Sequence, residues 1–235
     1  MTDLTETATT TASEATEAKD QKSLDRLTRF YRWNAKIYDY TRWAILRNRA
    51  RAFRLLTIPV GGKVLDVGCG TGLNFRYIVR QQPELGRLWA LDLSGEMLKV
   101  AARKIERFKQ LRGKAITIEA NAENYSLDAE WAEHGKPDVI TYAYSLSMIP
   151  DWEASLRCSW DHLKPGGTLM VLDFGDLRRW PWPIGKGFVG FLKKNHVKHF
   201  GAPWETVLRE LTPQVVHKPV FGHYSVITLA TKPAE

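Results

Sequence analysis

The stretch Val64-Leu65-Asp66-Val67-Gly68-Cys69-Gly70-Thr71-Gly72, together with Leu91-Asp92-Leu93-Ser94, constrains this chain more than any other. An apolar run ends in an acid, and three alternating glycines then open a helix. In this way an α/β fold brings its backbone close to a nucleoside ligand. The glycines remove Cβ atoms where the ligand must lie against the turn. Asp92 falls 20 residues after Gly72 at the end of a second apolar run, where a carboxylate can accept both hydroxyl protons of a ribose.

Glycine turns also serve dinucleotides and phosphates, so the spacing has to choose. A dinucleotide fingerprint is G-x-G-x-x-G, whereas here Gly68, Gly70 and Gly72 alternate and Asp66 stands two residues before the first of them. The pattern resembles motif I of the class I S-adenosylmethionine (AdoMet) methyltransferases. That resemblance implies AdoMet as cofactor, with Asp66 near its ammonium group and Asp92 on its ribose.

The 235 residues suffice for one α/β domain with appendages. The two cysteines, Cys69 and Cys158, form neither a disulfide framework nor a zinc spacing, which suits a reducing cytosol, and no metal site is expected. Residues 1–20 hold five acids and one base with almost no large apolar side chain, and read as a disordered acidic tail without a signal peptide. The remainder therefore carries +12 of a total net charge of +8. No run of about 18 apolar residues is present to span a bilayer. A basic face of this size suits nucleic acid, an anionic membrane or an acidic substrate.

Residues 21–58 read as helices with apolar positions at three- and four-residue steps, and hold ten bases against Asp25 and Asp39. Basic on one side and aromatic on the other, they resemble an interfacial lid, the alternative being an ordinary solvated face. From residue 59 the core begins. Strands are expected at 63–67, 87–92, 115–119, 137–143, 167–173, 214–220 and 223–231, with helices at about 73–82, 95–109, 127–134 and 151–162. This predicts a doubly wound, seven-stranded Rossmann-like sheet with an antiparallel last hairpin and the cofactor at the carboxyl ends of the early strands.

Along that edge Leu93 and Met97 are candidates to bracket an adenine, or are simply core. Asn121 and Ala122 end the third strand, where methyltransferases usually place an acid for the adenine amino group, and the Asn121 amide oxygen can accept that proton without charge. Arg178 to His199 holds six bases and no acid among Trp180, Trp182 and further apolar residues. Rings and lysines together suit a lipid headgroup region, with Arg178, Arg179, Trp180, Trp182, Lys186, Lys193 and Lys194 as contacts. Nucleic acid binding or plain surface are the alternatives.

Several stretches resemble one narrower family. They are Phe30-Tyr31-Arg32, Ala35 to Trp43, Tyr142 to Trp152, Asp173-Phe174-Gly175, Asn195-His196-Val197 and Phe221-Gly222-His223-Tyr224. They are similar to the bacterial diacylglyceryl homoserine N-methyltransferases of betaine-lipid synthesis, and their general parts to phosphatidylethanolamine and ornithine-lipid methylases. The resemblance implies up to three methyl transfers to a membrane aminolipid, peripheral attachment at the cytoplasmic face, and a lipid synthase as a partner. Tyr31, Tyr38, Tyr144 and Tyr224 would line a cation-binding pocket, unless they are core. His196 would take the amine proton or cap a helix, and Arg42 would bind a carboxylate of AdoMet or of the headgroup. Rival functions are methylation of a soluble acceptor or a quinone, and a nonenzymatic AdoMet- or RNA-binding module.

Overall fold

The apolar runs form the strands for which they are suited. In the computed structural model, which describes residues 46–194, 197 and 201–234, β1 (Lys63–Val67), β2 (Arg87–Asp92), β4 (Val139–Ala143) and β5 (Thr168–Phe174) are buried along most of their length. Parallel strands covered on both faces must be so. The edges, β3 (Ala115–Glu119) and β6 (Val215–Val220), are only partly buried, and Pro219 sits in β6, where an edge strand tolerates it.

With β7 (Ser225–Thr231) these strands make one seven-stranded sheet in the order β3-β2-β1-β4-β5-β7-β6. β1 to β5 are parallel, and β7 runs antiparallel between β5 and β6. This is the architecture expected from the sequence. The strand order reverses direction between β1 and β4, so their carboxyl ends flank the switch point at which open α/β sheets bind ligands.

Among the described residues the α-helices are α1 (Arg49–Leu55), α2 (Phe75–Gln81), α3 (Gly95–Ile105), α4 (Asp128–His134), α5 (Trp152–His162), α6 (Trp182–Lys194) and α7 (Trp204–Leu211). Successive strand residues point to opposite faces. Val64, Leu88 and Val139 accordingly pack with α1, α2, α3 and α6, whereas Leu65, Trp89 and Ile140 pack with α4, α5 and α7.

Several ends shift by one or two residues, and the larger departures from expectation are in the helices. α3 stops at Ile105 because the Arg107 and Phe108 amides bond three residues back, to Lys104 and Ile105, and tighten the chain into turns. Neither α6 nor α7 is among the expected helices, although in α7 Trp204, Val207 and Leu208 are buried at helical spacing.

Candidate active site

The glycine turn after β1 holds Gly68, Gly70 and Gly72 at φ of +65°, +56° and +76°, the left-handed region that side chains resist. The three glycines differ in what surrounds them. A Cβ on Gly68 would lie 2.4 Å from Cβ of Ser145, and one on Gly72 would lie 2.3 Å from the Phe75 ring. A Cβ on Gly70 would meet nothing within 4 Å. Gly68 and Gly72 thus permit packing, while Gly70 leaves bare backbone facing open space.

Asp92 secures this turn to β2. Its Oδ2 accepts from the Gly70 amide at 2.7 Å and its Oδ1 from the Ser94 amide at 2.9 Å. Burial pushes the Asp92 carboxyl above its usual range, against the pull of the Ser94, Gly70 and Leu93 amides. A carboxylate has about four acceptor positions, so lone pairs remain for the two hydroxyls of a ribose. Bare backbone beside an anchored carboxylate fits the nucleoside part of AdoMet.

Beneath the turn lies a buried polar floor. Asp66 is fully buried and stands opposite Thr141 in the β1–β4 register. It accepts from Thr141 Oγ1 at 2.7 Å and from Asn74 Nδ2 at 2.9 Å. Asn74 occupies the N-cap position of α2 without capping it, its side chain instead reaching Asp66 and Arg49. Arg49 donates from Nε to Asn74 Oδ1 at 2.8 Å, from Nη1 to the Leu46 carbonyl and from Nη2 to the Ala143 carbonyl.

Asp173, fully buried near the end of β5, accepts from the amide and hydroxyl of Ser147 and from the Phe174 amide. Burial raises the carboxyls of Asp66 and Asp173 to about 6 each, with their hydrogen bonds and then the Arg49 charge opposing it. Of this floor the sequence reading singled out only Asp66 as a site residue. Arg49 was one of ten bases in a stretch that looked interfacial, and nothing in its neighbours marks it as buried.

At the end of β4, Tyr144, at φ +60°, directs its ring inward, and it and Tyr224 both pack in the core. The Tyr144 hydroxyl donates to the Arg47 carbonyl and lies 2.7 Å from Ser225 Oγ, which also accepts from Asn48 Nδ2. The Tyr144 ring lies 4.8 Å from that of Phe174, and Tyr224 lies 6.0 Å from Phe174, 5.1 Å from Phe188 and 5.6 Å from Trp180. Burial pushes both tyrosine hydroxyls well above their usual range. At the rim, His223 Nδ1 lies 3.5 Å from Asp176 and its Nε2 accepts from Arg178 Nε at 3.2 Å, a string the sequence reading did not assemble.

The remaining expected site residues divide by exposure. Leu93 is exposed and Met97 buried, while Ala122 is buried and the exposed Asn121 turns its amide oxygen to the Glu123 amide at 3.1 Å. Arg178, Arg179, Trp182, Lys186 and Lys194 are exposed, and Trp180 turns inward with Nε1 donating to the Phe221 carbonyl. Tyr31, Tyr38, Arg42, His196 and the side chain of Lys193 lie outside the described residues.

The methyltransferase domain profile matches residues 37–227. The chain belongs to that family, as a class I AdoMet-dependent methyltransferase. AdoMet is its cofactor, as the glycine turn and Asp92 led one to expect. Among curated relatives, the ubiquinone/menaquinone biosynthesis C-methyltransferase UbiE of Rhizobium johnstonii is 38% identical over 118 residues, covering 50% of this chain and 43% of that protein. The chain thus matches less than half the length of that relative.

Many solved structures share the fold, two of which serve for comparison. The putative methyltransferase in complex with the Trm112 activator of Haloferax volcanii has a TM-score of 0.67 at 14% identity, covering 86% of this chain and 97% of the other. DhpI in complex with SAH has a TM-score of 0.62 at 21% identity, covering 90% and 97%.

Proposed function

We propose that the protein methylates the amine of a membrane aminolipid, with diacylglyceryl homoserine as acceptor and its trimethyl betaine as product. The observation that carries this reading is the aromatic cluster where β4 and β5 end, in which the core rings of Tyr144, Phe174 and Tyr224 back the partly exposed rings of Phe188 and Trp180. Ring faces suit a nitrogen that becomes permanently cationic, and unlike a carboxylate they do not retain it through a full ion pair.

Gly70 and Asp92 would hold AdoMet, which supplies an electrophilic sulfonium methyl when bound. The chain's own groups then position rather than titrate. Tyr144 and Tyr224 stay neutral because burial disfavours their phenolates, and the Tyr144 proton is committed to the Arg47 carbonyl. They back the partly exposed rings of Trp180 and Phe188, and the acceptor ammonium gives its proton to water before its lone pair is aligned. The exposed bases and Trp182 between Arg178 and Lys194 suit an acceptor that resides in a bilayer.

A second reading, C-methylation of a polyprenylated quinol, is favoured by the name of the UbiE relatives. Labelled AdoMet offered to mixed micelles of diacylglyceryl homoserine, phosphatidylethanolamine, ornithine lipid or a polyprenylated quinol separates the two. Label on the homoserine nitrogen supports the first reading. Label on a quinol ring with none on any aminolipid replaces it by the second.

A further inference from the structure

The two helical layers differ in charge as sharply as in position. On the side of α1, α2, α3 and α6, these helices carry ten lysines and arginines besides the buried Arg49, against one acid, Glu96. On the other side, α4, α5 and α7 carry seven acids against two arginines. Both of those arginines are neutralised within their own layer, Arg157 by Glu210 at 3.2 Å and Arg209 by Glu205 at 2.9 Å. The sheet therefore separates a basic face from an acidic one.

The basic face has a focus. Arg51 and Arg54 are exposed on α1 and Arg76 and Arg80 on α2, and the two helices pack together. Neither helix has an acid in its first turn, and among the described residues none of the four arginines forms an ion pair. The same layer carries the outward side of α6. Its inner stripe is Gly185, Phe188, Val189 and Leu192, yet Trp182, Ile184 and Phe191 remain 74%, 55% and 42% exposed. An apolar side on both faces of one surface helix is not explained by the core. Lys186 lies 4.9 Å over the Trp182 ring, an ammonium and an indole presented together.

We propose that this entire layer, and not α6 alone, is a docking face for an anionic lipid bilayer. The arginines of α1 and α2 form an electrostatic foot, and the outer residues of α6 enter the headgroup region. The proposal deepens the aminolipid reading and rests on it for the reason the enzyme visits a membrane. Charge complementarity chooses the occupant: long-range attraction orients the acidic layer away from the surface, and isoleucine and phenylalanine side chains gain from acyl chains. A nucleic acid offers phosphates to the same arginines but no apolar phase for Ile184 and Phe191.

The test is sedimentation of the full chain with phosphatidylcholine vesicles with and without phosphatidylglycerol, comparing wild type with the combined Arg51→Gln, Arg54→Gln, Arg76→Gln and Arg80→Gln variant. We expect wild type to bind only the anionic vesicles and the variant to lose about a hundred-fold in affinity, each arginine near the surface contributing to the attraction. Glu133→Gln with Glu210→Gln, on the opposite layer, leaves binding unchanged. Trp182 fluorescence is quenched by brominated lipid in wild type.

AdoMet affinity, read in parallel, confirms that the variants are folded. Equal vesicle binding by the arginine variant overturns the proposal, as does tighter binding to an RNA oligonucleotide than to vesicles at the same salt. Methyl transfer in neutral detergent micelles isolates the substrate question. If wild type binds vesicles but methylates no aminolipid there, the acceptor assignment fails and the docking face stands.

Discussion

Arg49 Nε donates to Asn74 Oδ1 at 2.8 Å, joining the start of α1 to the helix that the glycine turn opens. Asn74 passes the connection to Asp66, and the other Arg49 nitrogens reach the carbonyls of Leu46 and Ala143. One buried cation thus braces β1, β4, α2 and the chain entering α1. Its removal leaves several buried acceptors without donors.

Arg49→Met is therefore expected to cost roughly 2–4 kcal/mol of stability, the scale for breaking buried charged hydrogen bonds. Arg49→Lys keeps the charge but not the planar fork, and recovers only part of the loss. Urea denaturation of the three proteins decides it. A loss below about 0.5 kcal/mol in the methionine variant would mean that the brace carries no weight.

The glycines give a contrast between folding and binding. Gly68→Ala places its Cβ against Ser145 and is expected to destabilise the protein strongly, with partial recovery on adding Ser145→Gly. Gly70→Ala has room for its Cβ, so its cost is the left-handed backbone alone, about 1 kcal/mol. Its AdoMet affinity nevertheless falls at least ten-fold, because the Cβ enters the ligand's side of the turn. Calorimetric titration showing undiminished affinity would remove Gly70 from the cofactor site.

Asp92→Ala deprives the Gly70 and Ser94 amides of their acceptor and a ribose of its own. AdoMet affinity is expected to drop roughly a hundred-fold, equivalent to about 2.7 kcal/mol. Circular dichroism should remain that of the folded protein. Wild-type affinity in the folded variant contradicts the assignment.

The Asp66 and Asp173 carboxyls stand at about 6, against about 3.9 for aspartate in an unfolded chain. Between these values the folded protein binds more protons than the unfolded one. Stability contributed by the pair is consequently greatest at or below pH about 4 and declines as the pH rises to about 6. Carbon-13 NMR titration should find two aspartates with midpoints near 6. Midpoints below 4.5 for both would show that the floor is better solvated than its geometry implies.

The glycine turn and the strands that frame it were legible in the sequence because they are local. Glycine spacing, the acid after the second apolar run and the strand pattern each depend on near neighbours, and β1, β2 and β3 fall at the residues expected. The polar floor was not legible, because its partners are distant in sequence. Arg49 is 94 residues from Ala143, and Tyr144 is 81 from Ser225. Asn74 sits where a capping residue belongs and is used elsewhere, a departure from local preference that only the packed structure explains. The Asp176–His223–Arg178 string likewise joins the end of β5 to the turn before β7.

Because β7 is inserted between β5 and β6, the order of synthesis differs from the order in space. While the ribosome is still making the stretch up to β6, the edge of β5 has no partner, and Ser225 is not yet there to meet Tyr144. The half of the sheet that carries the glycine turn can assemble early, whereas the aromatic cluster around Tyr224 must wait until residues 225–231 have left the exit tunnel. A nascent chain therefore completes the glycine-turn half of its sheet before the other half, and the exposed β5 edge during that interval is where chaperone dependence would arise.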